Sequence, residues 1–135
     1  MKTLEATIEK GKDGLFSIYI PSIAGLFGTG ETEEEAKEAL QDAIDMALEY
    51  VEETGKWGDY APLQDKYKIE YVYDLSGFFK RFNFFDASAL ATYVGINQSL
   101  MRRYKTGRTK ASRVQKTKIS TGIRRMAREL SAVTF

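Results

Sequence analysis

Residues 2–9 alternate strictly, with Leu4, Ala6 and Ile8 on one side and Thr3, Glu5, Thr7 and Glu9 on the other, the period of a half-buried strand. Gly11-Lys12-Asp13-Gly14 is a turn sequence, its Asp-Gly suited to positive φ. Residues 15–20 alternate again with Phe16, Ile18 and Ile20 inward, which predicts a hairpin; Pro21 stops its second strand, and residues 23–29 predict a short third one. Thr32-Glu33-Glu34-Glu35 then reads as a capping box, with three acids at the positive end of a helix dipole. Ala36, Ala39, Leu40, Ala43, Ile44, Ala47, Leu48 and Val51 form the apolar stripe of that helix, and Gly55 ends it. Beyond a polar loop containing Trp57 and Pro62, alternation at Tyr67, Ile69, Tyr71 and Tyr73 predicts a last strand. The order β-β-β-α-β describes a small sheet with one helix across its face.

From residue 74 the period changes. Leu75, Phe78, Phe79 and Phe82 share one side of a short helix, which Asn83-Phe84-Phe85 breaks. Asp86 is placed to cap a helix over residues 87–94; Gly95 follows, then a second helix from Gln98 to Lys105, closed by Gly107. A final helix carries Ile119, Ile123, Met126, Leu130 and Val133 in a narrow stripe. Such a stripe serves packing within its own unit or pairing with a second subunit. Its basic flank also suits a membrane surface, but Ser, Thr and Glu129 interrupt it, so no membrane partner is expected.

Charge divides the chain at the same place. Residues 1–75 hold 17 Asp+Glu and 7 Lys+Arg, and residues 76–135 hold 2 and 13, so a net charge of +1 conceals halves of −10 and +11. The expected organisation is therefore α+β, with an acidic αβ domain over residues 1–74 and a basic all-α domain over residues 75–135, each with its own partner. The basic half has the electrostatic footprint of a phosphate binder. With no Cys and no His, disulfides, Cys/His zinc sites, thiol nucleophiles and His-based triads are excluded. Glu5, Glu9, Asp42, Asp45 and Glu49 fall on polar strand and helix faces, so a two-metal nuclease centre is not expected, nor any other catalytic residue, metal or cofactor. The first residues lack the apolar core of a signal peptide, and a reducing cytoplasm is the expected compartment.

Two family resemblances rest on these residues. Ala6-Thr7-Ile8-Glu9-Lys10, Asp13-Gly14, Phe16, Ile20-Pro21, Gly25, Gly30-Glu31-Thr32 and Glu34-Glu35-Ala36 resemble the HicB antitoxin family over about the first 55 residues. The chain departs from that family in Ile23-Ala24-Gly25-Leu26, where Leu-Pro-Gly-Cys is common, and in its aromatic last strand. The resemblance implies a trimmed ribonuclease-H-like domain. In the basic half, Leu90-Ala91, Gly95-Ile96, Met101, Tyr104 and Gly107 match the Cro/phage-repressor type of helix-turn-helix. What that resemblance implies is base reading in the major groove by Gln98, Ser99 and Arg103, with Gln suited to adenine and Arg to guanine. Asn97 becomes the cap with its amide near a phosphate, and Arg102, Lys105, Arg108, Lys110, Ser112 and Arg113 become backbone contacts. Ala87 departs from relatives that carry a phosphate-binding Gln there.

Together the resemblances imply an antitoxin whose acidic domain neutralises a small basic HicA-like mRNA-cleaving toxin and whose basic domain represses its operon on double-stranded operator DNA. A homodimer or higher even oligomer is expected, since two-fold operators mirror two-fold proteins. The alternative is a free-standing transcriptional regulator whose αβ domain dimerises or senses a ligand.

Overall fold

In a computed structural model that describes residues 1–135, the chain is α+β, with one four-stranded mixed sheet and several helices. Strands β1 (Lys2–Lys10), β2 (Phe16–Tyr19) and β3 (Phe27–Gly30) precede α1 (Glu33–Thr54). Strand β4 (Tyr67–Tyr73) follows, then α2 (Leu75–Arg81), α3 (Ala87–Val94), α4 (Gln98–Thr106) and α5 (Arg113–Ser131). The sheet order is β3-β2-β1-β4; the first three strands pair antiparallel, and β4 joins β1 in parallel, a pairing that needs the long connection through α1.

Register puts Leu4, Ala6, Ile8, Ile18 and Phe16 on the face that α1 covers, where Ala36, Leu40, Ile44 and Ala47 meet them. Gly28 faces the same way, and a Cβ there would lie 2.2 Å from the Leu40 nitrogen. Only glycine lets the helix settle this close to β3. Thr32 caps α1 by accepting from the Glu35 N–H at 3.1 Å, while the Glu35 carboxylate reaches back to the N–H of Glu31, one residue earlier than a capping box requires. Two segments differ from expectation. Ile23 and Leu26 are buried in a loop, so β3 starts only at Phe27, and the stretch around Pro62 is a 3-10 segment, Gly58–Leu63, held by buried Leu63.

Glu33 is 7% exposed at the start of α1. Burial alone would raise its pKa, but a hydrogen bond from the Tyr73 hydroxyl and an ion pair with Lys37 at 3.1 Å hold it below the usual carboxylate value. Burial, then the bond to Glu33, pushes the Tyr73 hydroxyl from 10.0 up to about 12. Tyr73 is 39% exposed, so solvent screening limits the cost of Tyr73→Phe to about 0.5–1 kcal/mol by thermal denaturation at neutral pH. Because the folded-state pKa is raised, this stabilisation is full below pH 10.0 and fades as pH rises towards about 12, so the difference between wild type and variant should shrink in that window.

Phe79, Ala87, Leu90, Ala91, Val94, Ile96, Met101, Tyr104 and Ile119 form a second buried cluster, separate from that beneath the sheet. The two meet along a seam at the first turn of α2. A Cβ on Gly77 would stand 2.2 Å from the Ile8 carbonyl oxygen, the Asp74 N–H donates to that oxygen at 2.9 Å, and the Lys10 N–H donates to the Ser76 hydroxyl at 3.0 Å. No helix is long and apolar enough to cross a membrane.

Candidate nucleic-acid interface

Helices α3 and α4 are set by local chemistry before any long-range contact. Asp86 caps α3, accepting from the Ala89 N–H at 2.8 Å. Gly95 ends it with φ 82°, and the N–H groups of Gly95 and Ile96 both return to the Ala91 carbonyl at 2.9 Å. Asn97 then caps α4 through its side-chain oxygen, which accepts from the Leu100 N–H at 3.0 Å. Ile96, Met101 and Tyr104 turn into the second cluster, and Met101 is fully buried. With those positions inward, helical spacing drives Gln98, Ser99, Arg102 and Arg103 outward, and all four are exposed.

The outward side chains differ in how they are held. The Gln98 amide donates to the Thr92 hydroxyl at 2.9 Å, and the Arg102 guanidinium donates to the Ser88 hydroxyl at 2.8 Å. Ser99 lies free on the same face, and no ion pair engages Arg103. Ser88 and Thr92, one turn apart on α3, thus belong to this surface without being among the expected contact residues. The signal was present in two hydroxyls at i, i+4 on the polar side of α3. Ala87 is 5% exposed within the second cluster, so this chain uses that position for packing.

Lys105, Arg108 and Arg113 are exposed around the end of α4 and the start of α5, and none forms an ion pair. Ser112 caps α5 by accepting from the Gln115 N–H at 3.2 Å, which leaves its hydroxyl proton free to donate. Lys110, expected at the DNA backbone, is also tied within the molecule. Its ammonium lies 3.3 Å from both Glu9 and Asp74, bridging β1 and the β4–α2 junction across the seam. Burial works against its charge, but these two carboxylates more than offset it and raise its pKa above 10.5. Lys110 is 58% exposed, so solvent screening limits what Lys110→Ala should cost to about 0.5–1 kcal/mol of stability. The raised pKa makes this contribution complete below pH 10.5 and lost above it, which paired thermal scans at neutral and alkaline pH would show.

The C-terminal stripe divides. Ile119 is buried, Ile123 and Met126 pack at the edge of the second cluster, and Leu130 and Val133 stand exposed. Arg125 fastens α5 to α3, donating to the Tyr93 carbonyl at 3.1 Å and to its hydroxyl at 3.2 Å. On the other half, the outer face of α1 exposes Glu34, Glu38, Asp42, Asp45, Glu49, Glu52 and Glu53, with Met46 and Tyr50 exposed among them. No group of three or more Asp, Glu, His or Cys is arranged to hold a metal ion. Comparison of the chain with protein-family models, with curated proteins and with solved structures gives no match.

Proposed function

We propose that this protein is an antitoxin of the HicB type that binds duplex DNA through a helix-turn-helix formed by α3 and α4, and binds a small cationic RNA-cleaving toxin through its acidic, trimmed ribonuclease-H-like half. The observation that carries the DNA reading is the division of α4. One side is anchored by buried Met101 and Tyr104, and the other presents Gln98, Ser99, Arg102 and Arg103 to solvent. In this reading α4 lies in the major groove, where Gln98, Ser99 and Arg103 read base edges. Arg102, Lys105, Arg108, Lys110, Ser112, Arg113 and the Asn97 amide contact phosphates and supply affinity without sequence information. Gln98 and Arg102 give up bonds to Thr92 and Ser88 on docking, and those hydroxyls become available to the duplex in exchange.

The acidic half supports the toxin reading by charge. A partner whose surface binds RNA is cationic, and the carboxylates of α1 around Met46 and Tyr50 offer it a complementary rim with an apolar centre. The protein acts as a homodimer or higher even oligomer in the cytoplasm and carries out no catalysis of its own. Co-expression tests the pair of roles: a short reading frame beside this gene should encode a basic, His-containing protein that arrests growth alone and not with this chain. A neighbouring frame that is harmless alone, or whose toxicity this chain leaves intact, would sink the antitoxin reading. Duplex binding without any such neighbour would favour a free-standing regulator.

A further inference from the structure

Where α5 passes the β4–α2 junction it leaves an open cleft of about 490 Å³, within the size range of small-molecule sites. Its apolar walls come from both halves of the chain, Val72 from β4, Leu75 and Phe78 from α2, and Ile119 and Ile123 from α5. Two cations flank it. Lys116 and Arg124 lie on the same face of α5 as Ile119, Ser120 and Ile123, about 12 Å apart along the axis by helical rise. Neither belongs to any of the protein's ion pairs. The single carboxylate on the lining, Asp74, is already engaged by Lys110 and by the Ser76 N–H and hydroxyl. The cleft therefore combines exposed apolar surface with positive charge that nothing in the chain neutralises.

We propose that this cleft binds a small apolar molecule carrying an anionic group, its hydrocarbon body between α5 and the β4–α2 junction and its carboxylate or similar anion at Lys116 or Arg124. Burying the apolar walls supplies affinity, and the two cations select an anion over a neutral molecule of the same shape. A second copy of the chain is a poorer occupant. A two-fold axis through this face would gather Lys116 and Arg124 of both copies, four cations, in one apolar interface. Because the walls belong to both halves, a bound molecule ties the basic unit to the sheet beside the Lys110 bridge. This site is independent of the DNA and toxin readings.

Titration calorimetry of the full chain with decanoate and with uncharged 1-decanol tests it. Wild type should bind decanoate about tenfold more tightly than the alcohol, as expected for one or two partly exposed ionic contacts. The Lys116→Ala/Arg124→Ala double variant, which changes only exposed side chains, should bring the two ligands to similar affinity. Ile123→Trp, which fills the cleft, should abolish uptake of both; should that variant fail to fold, Ser120→Trp on the same face takes its place. Equal affinity for acid and alcohol in wild type would overturn the proposal. So would decanoate binding that survives the filled cleft, or no uptake of either ligand by the wild-type chain.

Discussion

Gly28→Val is expected to lower folding stability by about 3 kcal/mol or more, read as a fall in the urea midpoint. Its virtual Cβ lies 2.2 Å from the Leu40 nitrogen, 2.6 Å from the Ala36 carbonyl oxygen and 2.7 Å from the Ala39 carbonyl carbon. All three are backbone atoms in the first two turns of α1, so no rotamer change relieves the contact; the helix must lift from the sheet. Lifting it opens the first cluster, because Ala36, Leu40 and Ile44 are fully buried there. A branched side chain adds two methyl groups to that collision. Gly14→Ala makes the control, since open space surrounds that position and only its φ of 83° is strained, which should cost nearer 1 kcal/mol. If Gly28→Val melted like wild type, the close seating of α1 on β3 would be wrong.

The second large effect is expected at Arg103. On a duplex selected from a random-sequence library, Arg103→Ala should lose discrimination at one base pair, worth about 1–3 kcal/mol, with little change on random DNA. Arg103 is the candidate best placed for this, because its exposed guanidinium has no ionic partner to leave behind. Gln98 and Arg102 each surrender a hydrogen bond first, so their net contributions should be smaller. Arg113→Ala should instead weaken specific and random duplexes alike and flatten the dependence of affinity on salt. Equal losses for Arg103→Ala on every sequence would remove it from base reading. Stability should be unaltered in both variants, since neither side chain is buried.

Much of this architecture was legible because it depends on chemistry within a few residues. Thr32, Asp86 and Asn97 cap the helices that follow them, and Gly14, Gly55, Gly95 and Gly107 take the positive φ that their turns require. Alternation identified the inward faces of β1 and β2, and the spacing of Ile96, Met101 and Tyr104 identified the inward face of α4. What escaped depends on distant partners. Alternation places β3 too early because Ile23 and Leu26 are apolar in a buried loop, whereas the strand itself runs Phe-Gly-Thr-Gly to admit the helix above it. The 3-10 segment ending at Leu63 exists through packing against the first cluster, which no local pattern encodes. Lys110 reads as one more cation in a basic tail, yet one of its partners, Glu9, is 101 residues away in sequence.

That bridge changes how the two halves relate. The opposite charges of the two halves meet within the molecule, where Lys110, Glu9 and Asp74 join the end of β1 to the loop after α4. The cleft beside Asp74 lies on the same junction.

The most direct test is a titration of isotopically labelled protein with its selected duplex, followed by amide chemical shifts. The largest changes are expected at residues 97–103 and at the start of α5 near Arg113, with a smaller response at Ser88 and Thr92 and none along the outer face of α1. Changes centred on the sheet or on α1, or uniform small shifts with α4 unaffected, would contradict the DNA reading.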